Sequence, residues 1–199
     1  KCCYGFTKRT EEWREGKMSK NILIGRKWAM PSANTFSIQP VRELITTVLN
    51  KLPDGAIVLD PFANQADIAS TVAMQKLSYI SNDLDPDAPT HYHLDATEFL
   101  SLFSDVGLVL YDPPYSPRQV SEHYKRLGHT VDMKTTQASY WTKQKKAIAN
   151  AVKSGGYVIT FGWNSGGIGK SNGFEIEQIL LVPHGGWHND TICTVERKL

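Results

Sequence analysis

Four consecutive residues, Asp112-Pro113-Pro114-Tyr115, follow directly on the apolar run VGLVLY (106–111). They combine an acid, two rigid carbonyl positions and an aromatic ring. Each proline fixes its own φ and lacks an N–H donor, so the carbonyls around them remain free to accept hydrogen bonds. Such a set suits a planar ring that carries an amino group. Asp112 and the Pro113 carbonyl accept the two amino hydrogens, Pro114 stiffens the turn, and Tyr115 stacks on the ring face. A proline-stiffened turn capped by Asp112 would use the same residues structurally; their place at the end of a buried strand favours chemistry.

That place depends on the elements around it. IVLDPF (57–62), LSYISNDL (77–84), VGLVLY (106–111) and YVITFGW (157–163) read as short buried strands. Helical spacing runs over Gln39–Leu52, Ala66–Lys76, Ala96–Phe103 and Lys143–Lys153, with Gly155-Gly156 breaking the last. FEIEQILLVPHGG (174–186) and NDTICTVERK (189–198) read as a closing antiparallel pair. Strands alternating with helices predict an α/β chain: a mostly parallel twisted sheet with helices on both faces. In such sheets ligands bind beyond the carboxyl ends of the strands. Asp60, Asp83, Asp95 and Asp112 all fall there.

The 199 residues suit one compact domain, expected over 34–199 behind a basic arm over 1–33, with 116–140 as a substrate or lid loop. Charge is segregated. Residues 1–30 carry eight Lys/Arg against three Glu, 51–115 carry two Lys against ten acids, and 116–146 carry seven Lys/Arg against two acids. Basic stretches flanking a catalytic loop suit a phosphate backbone. No apolar run is long enough to span a membrane, and the start has no apolar leader core. Cys2, Cys3 and Cys193 do not form a disulfide framework, so a reduced cytoplasmic setting is expected (a host's cytoplasm for a phage-encoded chain). His91-Tyr92-His93 has no converging ligands, and no metal is expected.

With these motifs in order, the chain resembles the S-adenosylmethionine-dependent DNA amino-methyltransferases that act on adenine N6 or cytosine N4, in particular small solitary or phage-type members. Residues 112–115 match their Asp/Asn/Ser-Pro-Pro-aromatic motif in full, and the resemblance spans roughly 34–199. It implies a Rossmann-like methyltransferase fold. It also implies that Asp60, Pro61 and Phe62 begin the first cofactor motif, where Asn64 and Ala66 stand in place of glycines. Asp83 (with Asp85 as a near alternative) would bind the cofactor ribose, and Asp95 and Ala96 would lie near its adenine. Phe36 and Ser37, before an amphipathic helix, would touch the methionine end, while Asp112 would face both cofactor and target. A helix cap is the plain structural role for Ser37, with Pro40 in the first turn.

The expected partner is DNA, single-stranded or duplex with the target base flipped out. Arg118, Lys125 and Arg126, with Lys134 and Lys143, are expected on phosphate. Tyr115 is expected to stack on the base, with Trp163 as a second stacking ring; Tyr124, Tyr140 and Trp141 are interleaved aromatics. The resemblance points to Asp at the first catalytic position for adenine and to Ser for cytosine, so adenine N6 leads and cytosine N4 follows. A DNA-binding module with a decayed cofactor site is the reading from a different class, because two glycines are missing.

Overall fold

A computed structural model of the chain describes residues 21–116, 118, 119, 121, 122 and 138–199. The strands are β1 (Leu23–Arg26), β2 (Ile57–Asp60), β3 (Ser78–Ser81), β4 (Val106–Tyr111), β5 (Val152–Gly162), β6 (Phe174–Val182) and β7 (Thr191–Lys198). The helices are α1 (Gln39–Leu49), α2 (Ala69–Met74), α3 (Ala96–Ser101) and α4 (Ala138–Ala151), with a 3-10 turn at Thr35–Ser37. The seven strands form one sheet in the order β1-β6-β7-β5-β4-β2-β3. Only β7 runs antiparallel to its neighbours; the other pairings are parallel. The expected parallel α/β sheet with a closing antiparallel pair is therefore present.

Both faces of the sheet are covered, and the strand alternation decides what goes where. Val58, Leu108, Leu110, Ile159, Cys193 and Val195 pack with α1 and α2. Leu59, Val109, Tyr111 and Val158 face the other way, onto Phe99 and Leu100 of α3 and Ile148 of α4. β4 is buried along its whole length, which is why it is apolar at every position rather than at alternate ones.

Several boundaries differ from the sequence expectation for physical reasons. The first strand stops at Asp60 rather than residue 62, because Pro61 cannot donate to a ladder. Gly155-Gly156 does not separate α4 from the next strand. β5 already begins at Val152, and its register against β4 shifts from Val106↔Val152 to Leu108↔Tyr157. The glycines form a bulge inside the strand, with Gly155 at φ +77. A Cβ at Gly156 would come within 2.9 Å of the Val106 carbonyl, so the bulge also brings two backbones together. The described part of the expected basic arm, residues 21–33, is not separate from the sheet. Leu23–Arg26 adds an edge strand against β6. Lys27 and Ala29 extend this through backbone bonds to the Leu181 and Pro183 carbonyls.

Candidate active site

Chain order sends β2 outward to β3 and then back across to β4, on β2's other side. The carboxyl ends of β2 and β4 therefore flank the point where the winding reverses, and a crevice opens there. A cavity of about 400 Å³ occupies it. Most of the sites expected from sequence meet there: Phe36, Pro61, Phe62, Asn64, Asp83, Asp95, Ala96, Asp112, Pro113, Pro114 and Tyr115 line it.

The charge of this cavity is one-sided. Asp67, Asp83, Asp85, Asp95 and Asp112 line it, and no Lys, Arg or His does among the described residues. A dinucleotide's phosphates would meet only like charge here. A ligand with a cationic centre and free hydroxyls is the complementary one.

Each acid is held differently. Asp60, expected to contact cofactor, lies fully buried beneath the cavity rather than on its wall. Its Oδ2 accepts from the Tyr79 hydroxyl at 2.8 Å. Burial, reinforced by Asp112 and Asp83, pushes its carboxyl up to about 7 against the Tyr79 and Phe62 hydrogen bonds. Asp83 accepts the Asn64 N–H at 3.0 Å and the Asp85 N–H at 2.9 Å. It thus pins the loop after β2 to the end of β3. Asp95 caps α3, accepting the Thr97 N–H at 2.8 Å while lining the cavity. The glycine-poor turn is accommodated directly: Asn64 (φ 46) and Ala66 (φ 54) both adopt left-handed backbone.

Ser37 is placed apart from the others. It does not line the cavity; its hydroxyl donates to the Asn34 carbonyl at 2.7 Å. Nor does it cap α1, since Ile38 takes that position. Phe36 beside it is buried, lines the cavity, and packs on Phe161 at 5.0 Å between ring centroids. Thr35, not singled out in the sequence, hydrogen-bonds Asp112.

Asp112 and Tyr115 bond to each other: the Tyr115 hydroxyl donates to Asp112 Oδ1. Burial raises the Asp112 carboxyl above the usual carboxylate range, and the hydrogen bonds from Tyr115 and Thr35 oppose that rise. Pro113, Pro114 and Tyr115 also line a second cavity of about 310 Å³. Trp141, Lys145, Thr160, Trp163, Asn164 and Gly167 are among the other residues of its wall. Trp163 is 43% exposed and meets Tyr115 edge-on at 5.6 Å. The Trp141 indole donates to the Pro114 carbonyl at 3.2 Å, tying α4 to the motif. Tyr111 at the end of β4 donates to Gln144 Oε1 at 2.7 Å for the same effect.

Arg118 stands outside both cavities and pairs with Glu122 at 2.7 Å. Lys125, Arg126, Lys134 and Tyr124 lie outside the described residues, as do Cys2, Cys3 and residues 1–20 of the arm. Lys143 lies on α4 and is exposed. His91 bonds to Ser81, and His93 to the Asp85 carbonyl. No group of three or more metal-ligating side chains exists among the described residues, and no helix among them is long and apolar enough to cross a membrane.

Sequence reading also missed Asn82. Its amide donates to the Pro61 and Leu94 carbonyls and accepts the Leu94 N–H at 2.9 Å, joining the three loops that floor the cavity. Its position between Ser81 and Asp83 at a strand end was the available signal.

No protein-family model and no curated protein matches the chain. Solved structures do. TrmN from Thermus thermophilus superposes with TM-score 0.54 at 20% identity, over 80% of this chain and 49% of its own. The chain thus spans about half the length of that protein. A 1,6-didemethyltoxoflavin-N1-methyltransferase from Burkholderia thailandensis, solved with 1,6-didemethyltoxoflavin and S-adenosylhomocysteine bound, gives TM-score 0.54 at 12% identity over 77% and 76% of the two chains. A precorrin-6y C5,15-methyltransferase from Geobacter metallireducens gives TM-score 0.56 at 13% identity over 85% and 95%. At such identities the likeness is one of architecture, and the names of the last two specify different substrates. The chain has the Rossmann-like methyltransferase fold.

Proposed function

We propose that the chain transfers a methyl group from S-adenosylmethionine to the exocyclic N6 amino group of adenine in DNA. The observation that carries this reading is the wall formed by Pro113, Pro114 and Tyr115. These three residues line both an anionic cavity and an aromatic-lined one. About 400 Å³ ringed by five carboxylates suits a phosphate-free ligand with a sulfonium charge, an ammonium and ribose hydroxyls. Asp83 or Asp85 would accept from the hydroxyls, and Phe36, Asn64 and Ala96 would flank the apolar parts. Bound there, S-adenosylmethionine supplies an electrophilic methyl. The 310 Å³ cavity suits one flipped nucleotide rather than a stacked duplex.

An exocyclic amine is a weak nucleophile because its lone pair is delocalised into the ring. Asp112 and the Pro113 carbonyl accept its two hydrogens and localise that lone pair on nitrogen. The buried Asp112 carboxylate also offsets the positive charge that develops on the amine. Tyr115 and Trp163 would hold the ring face, and Lys145 on the cavity wall suits a phosphate. Asp112 needs no strongly basic character, since the proton leaves after transfer.

The test is incubation with labelled S-adenosylmethionine and unmethylated DNA, digestion to nucleosides and mass spectrometry, with Asp112→Ala alongside. N6-methyladenine from the unaltered protein, lost by at least a hundredfold in the variant (about 3 kcal/mol of transition-state stabilisation), is expected. N4-methylcytosine would keep the chemistry and overturn the base. No methylated base on duplex DNA, single-stranded DNA or RNA would overturn the activity.

A further inference from the structure

The loop leaving β5 lines the second cavity through Trp163, Asn164 and Gly167. What fixes its course comes from β7. Glu196 is fully buried on the sheet face covered by α3 and α4. Its Oε2 accepts the Ile168 N–H at 2.5 Å and its Oε1 the Gly169 N–H at 2.9 Å. Gly167 sits against the carboxylate at φ +52, and a Cβ built there would overlap the Glu196 side chain. Ile168 is itself buried in the second core cluster, and its carbonyl accepts from the Asn172 amide at 2.8 Å.

A lone carboxylate inside a core is unfavourable unless it receives strong hydrogen bonds. For packing alone an apolar residue would serve, as Cys193 and Val195 do on the opposite face of β7. Here both oxygens are spent on backbone of one loop. Burial raises the carboxyl above its ordinary value, and the Ile168 and Gly169 N–H bonds and the charge of Lys145, which lines the second cavity, oppose that rise. We propose that Glu196 is a positioning residue: it latches the 163–169 loop so that Trp163 and Asn164 form the far wall of the target cavity. This rests on the reading of that cavity as the target's.

The test compares Glu196→Gln with the unaltered protein, and Gly167→Ala as a second variant that keeps the charge but pushes the loop away. In Glu196→Gln an NH2 group faces one of the two N–H donors. Amide hydrogen exchange at Ile168 and Gly169 should speed at least tenfold, with Val158 and Ile159 of β5 unchanged. The KM for DNA should rise fivefold or more, with kcat and the calorimetric Kd for S-adenosylmethionine within twofold. Unchanged exchange at 168 and 169 in both variants would overturn the latch. So would faster exchange with an unmoved KM, or a loss shared equally by KM and cofactor Kd. If the unaltered protein methylates no nucleic acid, the nucleobase reading fails by itself. Exchange in the two variants then decides the latch alone, since it reads the loop without any substrate.

Discussion

Removing one oxygen from the Tyr115 side chain should tighten target binding. The Tyr115 hydroxyl donates to Asp112 Oδ1, where the proposed reaction would need an acceptor for an amino hydrogen. A target must therefore displace an existing hydrogen bond. A hydrogen bond to an ionised group is worth about 1.5–3 kcal/mol net, and this pair is part-buried, so the lower end of the range applies. Tyr115→Phe keeps the ring and deletes the bond that must break, so affinity for a target oligonucleotide should rise about tenfold. The variant should also move the acid limb of the pH–rate profile. Asp112 already titrates above the usual carboxylate range, and the Tyr115 bond holds that rise down. Its loss should move the limb to still higher pH. Fluorescence anisotropy with labelled DNA and a pH series of initial rates measure the two effects. Weaker binding, or an acid limb shifted downward, would refute the idea that the hydroxyl competes with the target for Asp112.

Two further outcomes follow from the cavity floor. The buried Asp60 carboxyl is raised to about 7 from an ordinary value of 3.8, so the native state holds a proton that the unfolded chain has released. Its contribution is complete below pH 4 and is lost as pH rises towards 7, a fall of about 4 kcal/mol. Urea titrations from pH 4 to 8 should record that fall, and Asp60→Asn should flatten it; an unaltered slope in the variant would assign the pH dependence elsewhere. Ala66 adopts left-handed backbone at φ 54, which disfavours a residue with a Cβ by about 1–2 kcal/mol. Ala66→Gly should relieve most of this, less the added freedom of the unfolded chain. A melting temperature higher by roughly 2 °C is expected by calorimetry.

What could be read from sequence divides along physical lines. β4 was legible in full because a strand buried on both faces must be apolar at every position, and Asp105 and Asp112 mark its ends. The Asp112–Tyr115 motif was legible because its four residue types are adjacent. Most residues lining the first cavity were legible because each strand ends where polar residues begin. β1 was not legible: LIGR is short, basic and half polar, and it becomes a strand only by pairing with β6. The bulge at Gly155-Gly156 read as a break because local propensity treats two glycines as an end, whereas the ladder to β4 continues past them. Asn82 and Glu196 were hidden for a third reason. Their partners are backbone groups 12–28 residues away, and only the folded chain brings them near. The acid at 196 did leave one trace, a charged residue on the covered face of a strand.

The absence of any cation from the wall of the first cavity, among its described residues, bears on turnover as well as on binding. S-adenosylmethionine carries a sulfonium charge, and S-adenosylhomocysteine does not. Once the methyl has gone, the five carboxylates face a ligand with one positive charge fewer. If S-adenosylmethionine occupies this cavity as proposed, the spent cofactor is held less strongly than the fresh one, and exchange is driven forward without a moving part. On this reading the acidity of the pocket doubles as its release mechanism, and product inhibition should deepen when one of the lining aspartates is made neutral.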